Sequence, residues 1–316
     1  MEETRVPVYL ITGFLESGKT SFLSFTLQQD YFQIDGKTLL ILCEEGEEEY
    51  DEEALKQCNT VVESIDSEEE LTPERLAVME ILHQPERVII EYNGMWLVSK
   101  FEEMEKPEGW GVEQHITCVD ASTFQVYMAN MKSLFMDMVR NADMVIFNRC
   151  QENDPLPSYR RSIKVVNQRA EIIFEDEEGE LGDLFEDEMP FDIDASVIDI
   201  LPEDYGIWFV DSMDHPDRYV GKTVHFKARA LKPRGMGSKF FVPGRVAMTC
   251  CADDTTFLGY ICRSDYAPHI KEGSWVEVTA KVAFENRTEY QGEGIVLYAS
   301  DVKECEPLKE EMVYFN

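Results

Sequence analysis

The chemistry-bearing residues of this chain fall into a few short strings, and the clearest is Gly13-Phe14-Leu15-Glu16-Ser17-Gly18-Lys19-Thr20. Two glycines five residues apart let a loop curl until its backbone N–H groups converge, and a helix opening at the loop aims its partial positive charge at the same point. Converging amides, a lysine ammonium and a threonine hydroxyl together suit a polyphosphate carrying Mg²⁺. The expected contacts are Gly13, Glu16, Ser17, Gly18, Lys19, Thr20 and Ser21, with Lys19 on the β- and γ-phosphates and Thr20 on the metal.

Three further strings extend that chemistry. Glu91 closes the apolar run Arg87–Glu91 and precedes Tyr92-Asn93-Gly94. A carboxylate at such a strand tip is placed to hold the Mg²⁺ shell, usually through a water, and the Gly94 amide resembles one that senses a terminal phosphate. Asn148-Arg149-Cys150-Gln151 follows another apolar run. In the guanine-reading pattern Asn-Lys-x-Asp, the asparagine touches the base, the lysine stem packs on the ring and the aspartate accepts two guanine N–H groups. Here Asn148 stands and Arg149 can stack, but Gln151 replaces the aspartate with a single uncharged acceptor oxygen. The base is left open between GTP and ATP. Finally, eight of the ten residues from Glu44 to Glu53 are acidic, which reads either as a mobile switch or cation-binding loop or as a plain solvated one. Carboxylates alone suit Mg²⁺ or Ca²⁺ better than zinc.

In the C-terminal part, Cys250-Cys251-Ala252-Asp253-Asp254 suggests a partial soft-metal site that His225, His269 or Cys262 can complete in space. Neighbouring side chains on a strand point to opposite faces, however, which argues for a structural role instead.

Elements must hold these residues in place. The apolar run Val6–Thr12 predicts a strand buried on both faces, and a helix should run from the glycine loop to about Asp30. Further strands are expected at Thr38–Cys43, Thr60–Val62, Arg87–Glu91, His115–Asp120, Asp143–Asn148 and Ala170–Phe174. Helical spacing marks Glu74–His83, Leu97–Glu105 and Phe124–Arg140. The alternation implies an α/β domain with a mostly parallel sheet over residues 1–174. From Glu175 to Met189, nine of fifteen residues are acidic, and 175–204 reads as an acidic linker. Beyond it, short alternating strands at Thr223–Leu231, Arg245–Cys251, Phe257–Arg263, Trp275–Phe284 and Gly294–Val302 predict a small all-β domain over 205–316, an OB-like barrel being the first expectation.

Composition narrows the partners. With 63 acids against 29 bases the net charge is −34 over 316 residues, and such a surface repels nucleic acid and anionic lipid. The N-terminus lacks the pattern of a signal peptide, and no apolar run is long enough to span a bilayer. The eight cysteines are scattered without a Cys-x-x-Cys pair and read as reduced core thiols of a cytoplasmic protein.

With these motifs placed, residues 6–174 resemble the CobW-type P-loop GTPases, relatives of the urease and hydrogenase nickel-insertion GTPases. The stretch Val8–Leu23 is close to that family's Thr-Gly-Phe-Leu-Gly-Ala-Gly-Lys-Thr signature. Cys43-Glu44-Glu45-Gly46 falls where the family has Asn-Glu-Phe-Gly, and Ile90-Glu91-Tyr92-Asn93-Gly94 replaces Ile-Glu-Thr-Thr-Gly. Val119-Asp120-Ala121 matches Val-Asp-Ala, and Val166-Asn167-Gln168-Arg169-Ala170 resembles a late Asn-Pro-x-Ala segment. The family's Cys-x-Cys-Cys metal motif is missing: Glu63-Ser64-Ile65-Asp66-Ser67-Glu68-Glu69-Glu70 stands in its place. The part from about Arg218 onward resembles the C-terminal domain of YcgQ-type bacterial proteins that accompany predicted permeases. That likeness rests on Tyr219-Val220-Gly221-Lys222, Arg245–Asp253, Gly273-Ser274-Trp275-Val276 and Met312-Val313-Tyr314.

The resemblance implies a nucleotide switch in metal homeostasis or cofactor assembly, GTP-preferring and slow to hydrolyse. Lys19, Thr20, Glu91 and Glu44 are its catalytic candidates, Glu44 as the residue that orients water. Gly94, Asn148 and Arg149 join the nucleotide contacts, and the candidate partners are a metalloprotein client, a permease or a second copy of the chain. Two other readings stand beside it: a non-hydrolysing sensor that docks a permease through the C-terminal domain, and a metal-binding protein using Cys250 and Cys251.

Overall fold

The computed structural model describes residues 6–181, 189–248 and 255–313. The chain forms two compact units, Met1–Leu156 with Val166–Leu184, and Pro157–Val165 with Phe185–Asn316.

The first unit is an α/β layer structure. Its elements run β1 (Val6–Thr12), α1 (Lys19–Leu27), β2 (Thr38–Leu42), α2 (Glu52–Gln57), β3 (Thr60–Ser64), α3 (Pro73–His83), β4 (Arg87–Glu91), α4 (Val98–Glu103), β5 (Trp110–Asp120), α5 (Ala121–Asn130), α6 (Lys132–Val139), β6 (Met144–Asn148) and β7 (Glu171–Phe174), while α7 (Leu156–Lys164), between β6 and β7 in chain order, belongs from Pro157 on to the second unit. Seven parallel strands lie in the order β3-β2-β4-β1-β5-β6-β7. Val8, Leu10, Leu39, Leu40, Ile41, Val88, Ile89 and Ile90 are all buried, as continuous apolar runs covered on both faces should be. In a parallel sheet every strand ends at the same edge, so the tips of β1, β2, β4, β5 and β6 form one shelf for the site.

The long helical pattern over Phe124–Arg140 is two helices, broken where Met131 leaves helical geometry at φ −133° and ψ 32°. The acid-rich string also contains α2, started by Asp51, whose side chain accepts from the Glu53 and Ala54 amides. Acids at the start of a short helix and Lys56 at its end suit the helix dipole.

The second unit is built on a five-stranded closed barrel. Its elements are β8 (Ile198–Asp199), α8 (Tyr205–Asp214), β9 (Thr223–Leu231), β10 (Phe240–Met248), β11 (Thr255–Gly259), β12 (Ile261–Arg263), β13 (Trp275–Arg287), β14 (Gly292–Glu304) and β15 (Met312–Val313). The path β10-β12-β14-β13-β9 closes through pairs such as Val242↔Leu231 and Gly244↔Arg229. The barrel is not wholly antiparallel, since β12 runs parallel to β14. Inward residues alternate along β9 and β13: Val224, Phe226, Ala228, Ala230, Val276, Val278, Ala280 and Val282 are all buried. Helix α8 adds Tyr205, Trp208 and Phe209 to that core, with the Phe209 ring stacked on Tyr260 at 4.7 Å.

Composition missed part of this unit. Residues 189–204, read as linker, carry β8, and Ile198 and Ile200 sit in the barrel core. The strand predicted over Arg245–Cys251 is described only to Met248, and Cys250 and Cys251 lie outside the described residues. Among the described residues, no helix is long and apolar enough to cross a membrane.

Candidate functional site

The glycine loop joins β1 to α1. Gly18 has φ +93°, a left-handed conformation that frees the chain to swing into the helix. Gly94, after β4, is required for a different reason. A Cβ there would stand 2.5 Å from the Gly13 oxygen and 2.7 Å from the Phe14 Cα, so the loop after β4 can lie against the glycine loop only without a side chain.

Lys19 is buried and its Nζ donates to the carbonyls of Gly13 and Phe14, both at 3.0 Å, and to Glu44 Oε2 at 2.7 Å. Glu44 arrives from just beyond the tip of β2. From the tip of β4, Glu91 accepts from the Thr20 hydroxyl at 2.8 Å on Oε1 and from the Tyr50 hydroxyl on Oε2. The acid-rich string is thus folded over the glycine loop like a strap. Ser21 donates to Glu48, and the Glu47 amide donates to Glu16 Oε1 at 2.9 Å. Between the strap, α2 and the tips of β2 and β3 lies a cavity of about 540 Å³, bordered by Thr20, Glu44, Glu91 and Tyr50 over an apolar floor of Leu42, Leu55 and Val62.

Burial pushes the Glu91 carboxyl upward, against the pull of Tyr50, Thr20 and Lys19. Burial, with Glu91 adding to it, raises the Cys43 thiol to about 12, and burial takes Cys118 to about 12 as well. Both stay protonated and behave as core residues. His115, behind the loop, meets the Thr12 hydroxyl at 3.0 Å, and burial lowers it to about 4.

On the other flank, Asn148 Nδ2 donates to the Ser17 carbonyl at 2.7 Å. Arg149 Nη1 donates to the Glu16 carbonyl at 2.9 Å and pairs with Asp120 Oδ2 at 2.5 Å. Two buried polar atoms here have no hydrogen-bond partner, Ser17 Oγ and Asn148 Oδ1.

The structure therefore brings Lys19, Thr20, Glu44 and Glu91 together at one end of the loop, and Asn148 and Arg149 together beside it. Cys250 and Cys251 lie outside the described residues, and the side chains offered to complete their set have other neighbours. His225 is held by Asp199 at 2.7 Å and faces Glu277 at 3.3 Å, His269 lies against the Tyr266 ring, and Cys262 is buried in the barrel. Among the described residues, no group of three or more His, Cys, Asp or Glu could hold a metal ion. The acids where a cysteine motif is missing make ordinary ion pairs instead: Glu63 with Arg75 and His83, and Glu68 with Lys100. Asn167 pins a loop, donating to the Val139 and Ala142 carbonyls at 2.8 and 2.7 Å. Three contributors were not singled out from the sequence: Tyr50, Glu48 and the carboxylate of Asp120. The strand register gives one usable signal, because Asp120 pairs directly with Asn148 across β5 and β6.

A glycine loop between a central parallel strand and a helix, with acids at neighbouring strand tips, defines the P-loop nucleotide-binding class. Residues 7–174 match the family described as CobW/HypB/UreG, nucleotide-binding domain, and the chain belongs to that family. Residues 182–315 match the DUF1980 C-terminal domain. No curated protein is significantly similar to the chain. Among solved structures, the chain is similar to the Zn(II)-bound YjiA GTPase from E. coli at 17% identity, covering 82% of this chain and 89% of that one, with a TM-score of 0.43. It is also similar to the hydrogenase maturation factor HypB from Archaeoglobus fulgidus, at 17% identity, 55% and 82% coverage and a TM-score of 0.40. A mitochondrial single-stranded DNA-binding protein of S. cerevisiae, Rim1, matches at 13% identity over 26% of this chain and 93% of its own, with a TM-score of 0.17.

Proposed function

We propose that this chain is a Mg²⁺-dependent nucleoside triphosphate switch, GTP-preferring and slow to hydrolyse, that works in metal homeostasis or cofactor assembly. The observation that carries this reading is the meeting of Lys19, Thr20, Glu44 and Glu91 at the tips of β1, β2 and β4, beside the glycine loop. The donor set fits the cofactors. A hydroxyl and a carboxylate are hard oxygen ligands of the kind Mg²⁺ takes, and the unpartnered Ser17 Oγ sits in a loop that side chains at Gly13 or Gly18 would fill.

In this mechanism Thr20 and Glu91 would hold a magnesium ion, which would supply neutralisation of phosphate charge. Lys19 stabilises the charge that builds on the transferring phosphoryl group. Arg149 offers its guanidinium to the base, and Gly94 allows its loop to sit close to the phosphate end. Glu44 has two duties in conflict. It is the candidate for orienting the attacking water, but its carboxylate is bonded to the lysine that the phosphates need. Incoming phosphates must compete with it, so the strap opens as nucleotide enters.

Glu44→Gln is therefore expected to bind GTP about tenfold more tightly than the wild type, a gain of about 1.4 kcal/mol, measured by titration calorimetry with Mg²⁺. Equal or weaker binding would remove the competition from the account.

The reading itself is tested by titrating GTP, ATP and XTP with Mg²⁺ and measuring phosphate release. Weak binding of all three overturns it. Binding without phosphate release above a Lys19→Ala background favours the non-hydrolysing sensor, a reading supported by the commitment of Glu44 to Lys19 at 2.7 Å.

A further inference from the structure

The base flank of the site contains a carboxylate with no role in the mechanism above. Asp120 ends β5 directly opposite Asn148 at the end of β6. Its Oδ1 accepts from the Ser122 amide at 2.8 Å and the Ser122 hydroxyl at 2.5 Å, capping α5, while Oδ2 meets Arg149 Nη1 at 2.5 Å. The Asp120 side chain is 12% exposed and that of Arg149 is 48% exposed. One edge of the guanidinium is thus fixed to buried structure, by Asp120 and by the Glu16 carbonyl, and the remainder faces solvent. Arg149 itself has φ +55°, a left-handed conformation that bends the chain out of the strand line.

We propose that Asp120 is a positioning residue that clamps Arg149 as a preformed platform for a purine ring, so that the site selects purine nucleoside triphosphates by stacking more than by reading the base edge. The inference rests on the nucleotide reading given above. A free arginine side chain loses rotamer entropy when a ligand orders it, and a side chain held in advance does not. Although burial pushes the Asp120 carboxyl upward, hydrogen bonds from Ser122 and Arg149 outweigh it and hold the group below the usual carboxylate range, so the clamp stays charged at neutral pH. Gln151, at the position of the edge-reading aspartate, is engaged with its own loop. Its backbone N–H donates to Asp154 Oδ2 at 2.8 Å, and its side-chain Nε2 donates to the Arg149 carbonyl at 3.5 Å. The stack then carries more of the base selection than a charged edge contact at Gln151.

Asp120→Asn separates the clamp from the cap, because asparagine caps helices as well as aspartate does. The full chain and this variant are titrated with GTP, ATP and inorganic tripolyphosphate, each with Mg²⁺. The variant is expected to lose about tenfold in affinity for both GTP and ATP and nothing for tripolyphosphate, which also reports that the phosphate loop is intact. In an Arg149→Ala background the same substitution should have no further effect. Unchanged nucleotide affinity in Asp120→Asn, or a parallel loss for tripolyphosphate, overturns the clamp alone. Failure of the wild type to bind any of the three overturns the nucleotide reading and the clamp with it.

Discussion

Lys19→Ala is expected to cut nucleotide affinity and any phosphate release by about 100-fold or more. The lysine is buried and its bonds run to the glycine loop itself, through the Gly13 and Phe14 carbonyls. It faces Glu44 directly, and Glu91 stands near enough to feel its charge. Removing it leaves those two carboxylates beside the phosphate position without a counter-charge, in a chain whose net charge is already −34. Mg²⁺ alone must then offset both the acids and the ligand. The measurement is a GTP titration with Mg²⁺, paired with thermal unfolding to show that the variant remains folded. An affinity within a few-fold of the wild type would mean that the lysine serves only to tie down the strap.

Arg245→Met should lower the stability of the barrel unit by about 3 kcal/mol. The side chain is buried, and burial presses its pKa downward. Its Nη1 donates to the Pro202 carbonyl, and its Nη2 to the carbonyls of Glu310 at 2.8 Å and Met312 at 3.2 Å. One guanidinium therefore ties the chain entering the barrel unit to the chain leaving it, where β15 pairs with β10. Methionine has similar reach and fills the volume, so the loss reports on the carbonyls that lose their donor and not on a cavity. Urea unfolding of the full chain, followed by tryptophan fluorescence, reads it: Trp208 and Trp275 both lie in this unit. A midpoint unchanged from the wild type would show that water replaces the guanidinium without cost.

Much of the first unit was legible in the residue pattern, because a strand buried on both faces leaves a continuous apolar run and a glycine loop leaves fixed spacings. Val6–Thr12 and Arg87–Glu91 appear where those runs predict them. Glu91 and Thr20 meet as a strand-tip acid and a loop hydroxyl should. The rest depends on contacts distant in sequence. Nothing in the composition of the acid-rich string distinguishes Glu44, bound to Lys19, from Glu45 beside it, and Tyr50 is a site residue only because the strap folds back onto Glu91. Asp120 and Arg149 are 29 residues apart and become neighbours through strand order. In the second unit, the acidic composition that begins at Glu175 masked Ile198 and Ile200, which join the barrel core. The run Val197–Leu201 is short and broken by Asp199, and carries too little periodicity to read.

Helix α7 is an instance of the same limit. In chain order it lies inside the family match, between the base-side loop and β7, yet Pro157–Val165 belongs to the barrel unit. Arg160 and Lys164 both pair with Asp214 of α8, at 3.0 and 3.4 Å, and Val165 joins the barrel core. Neither unit is therefore a single uninterrupted stretch of the gene. A chimera spliced at residue 174 would keep α7 but discard the surface that seats it, leaving Val165 exposed. A barrel expressed from 205 onward would lack both that helix and β8. Domain exchange in this protein needs three junctions, one on each side of the helix and one after β7.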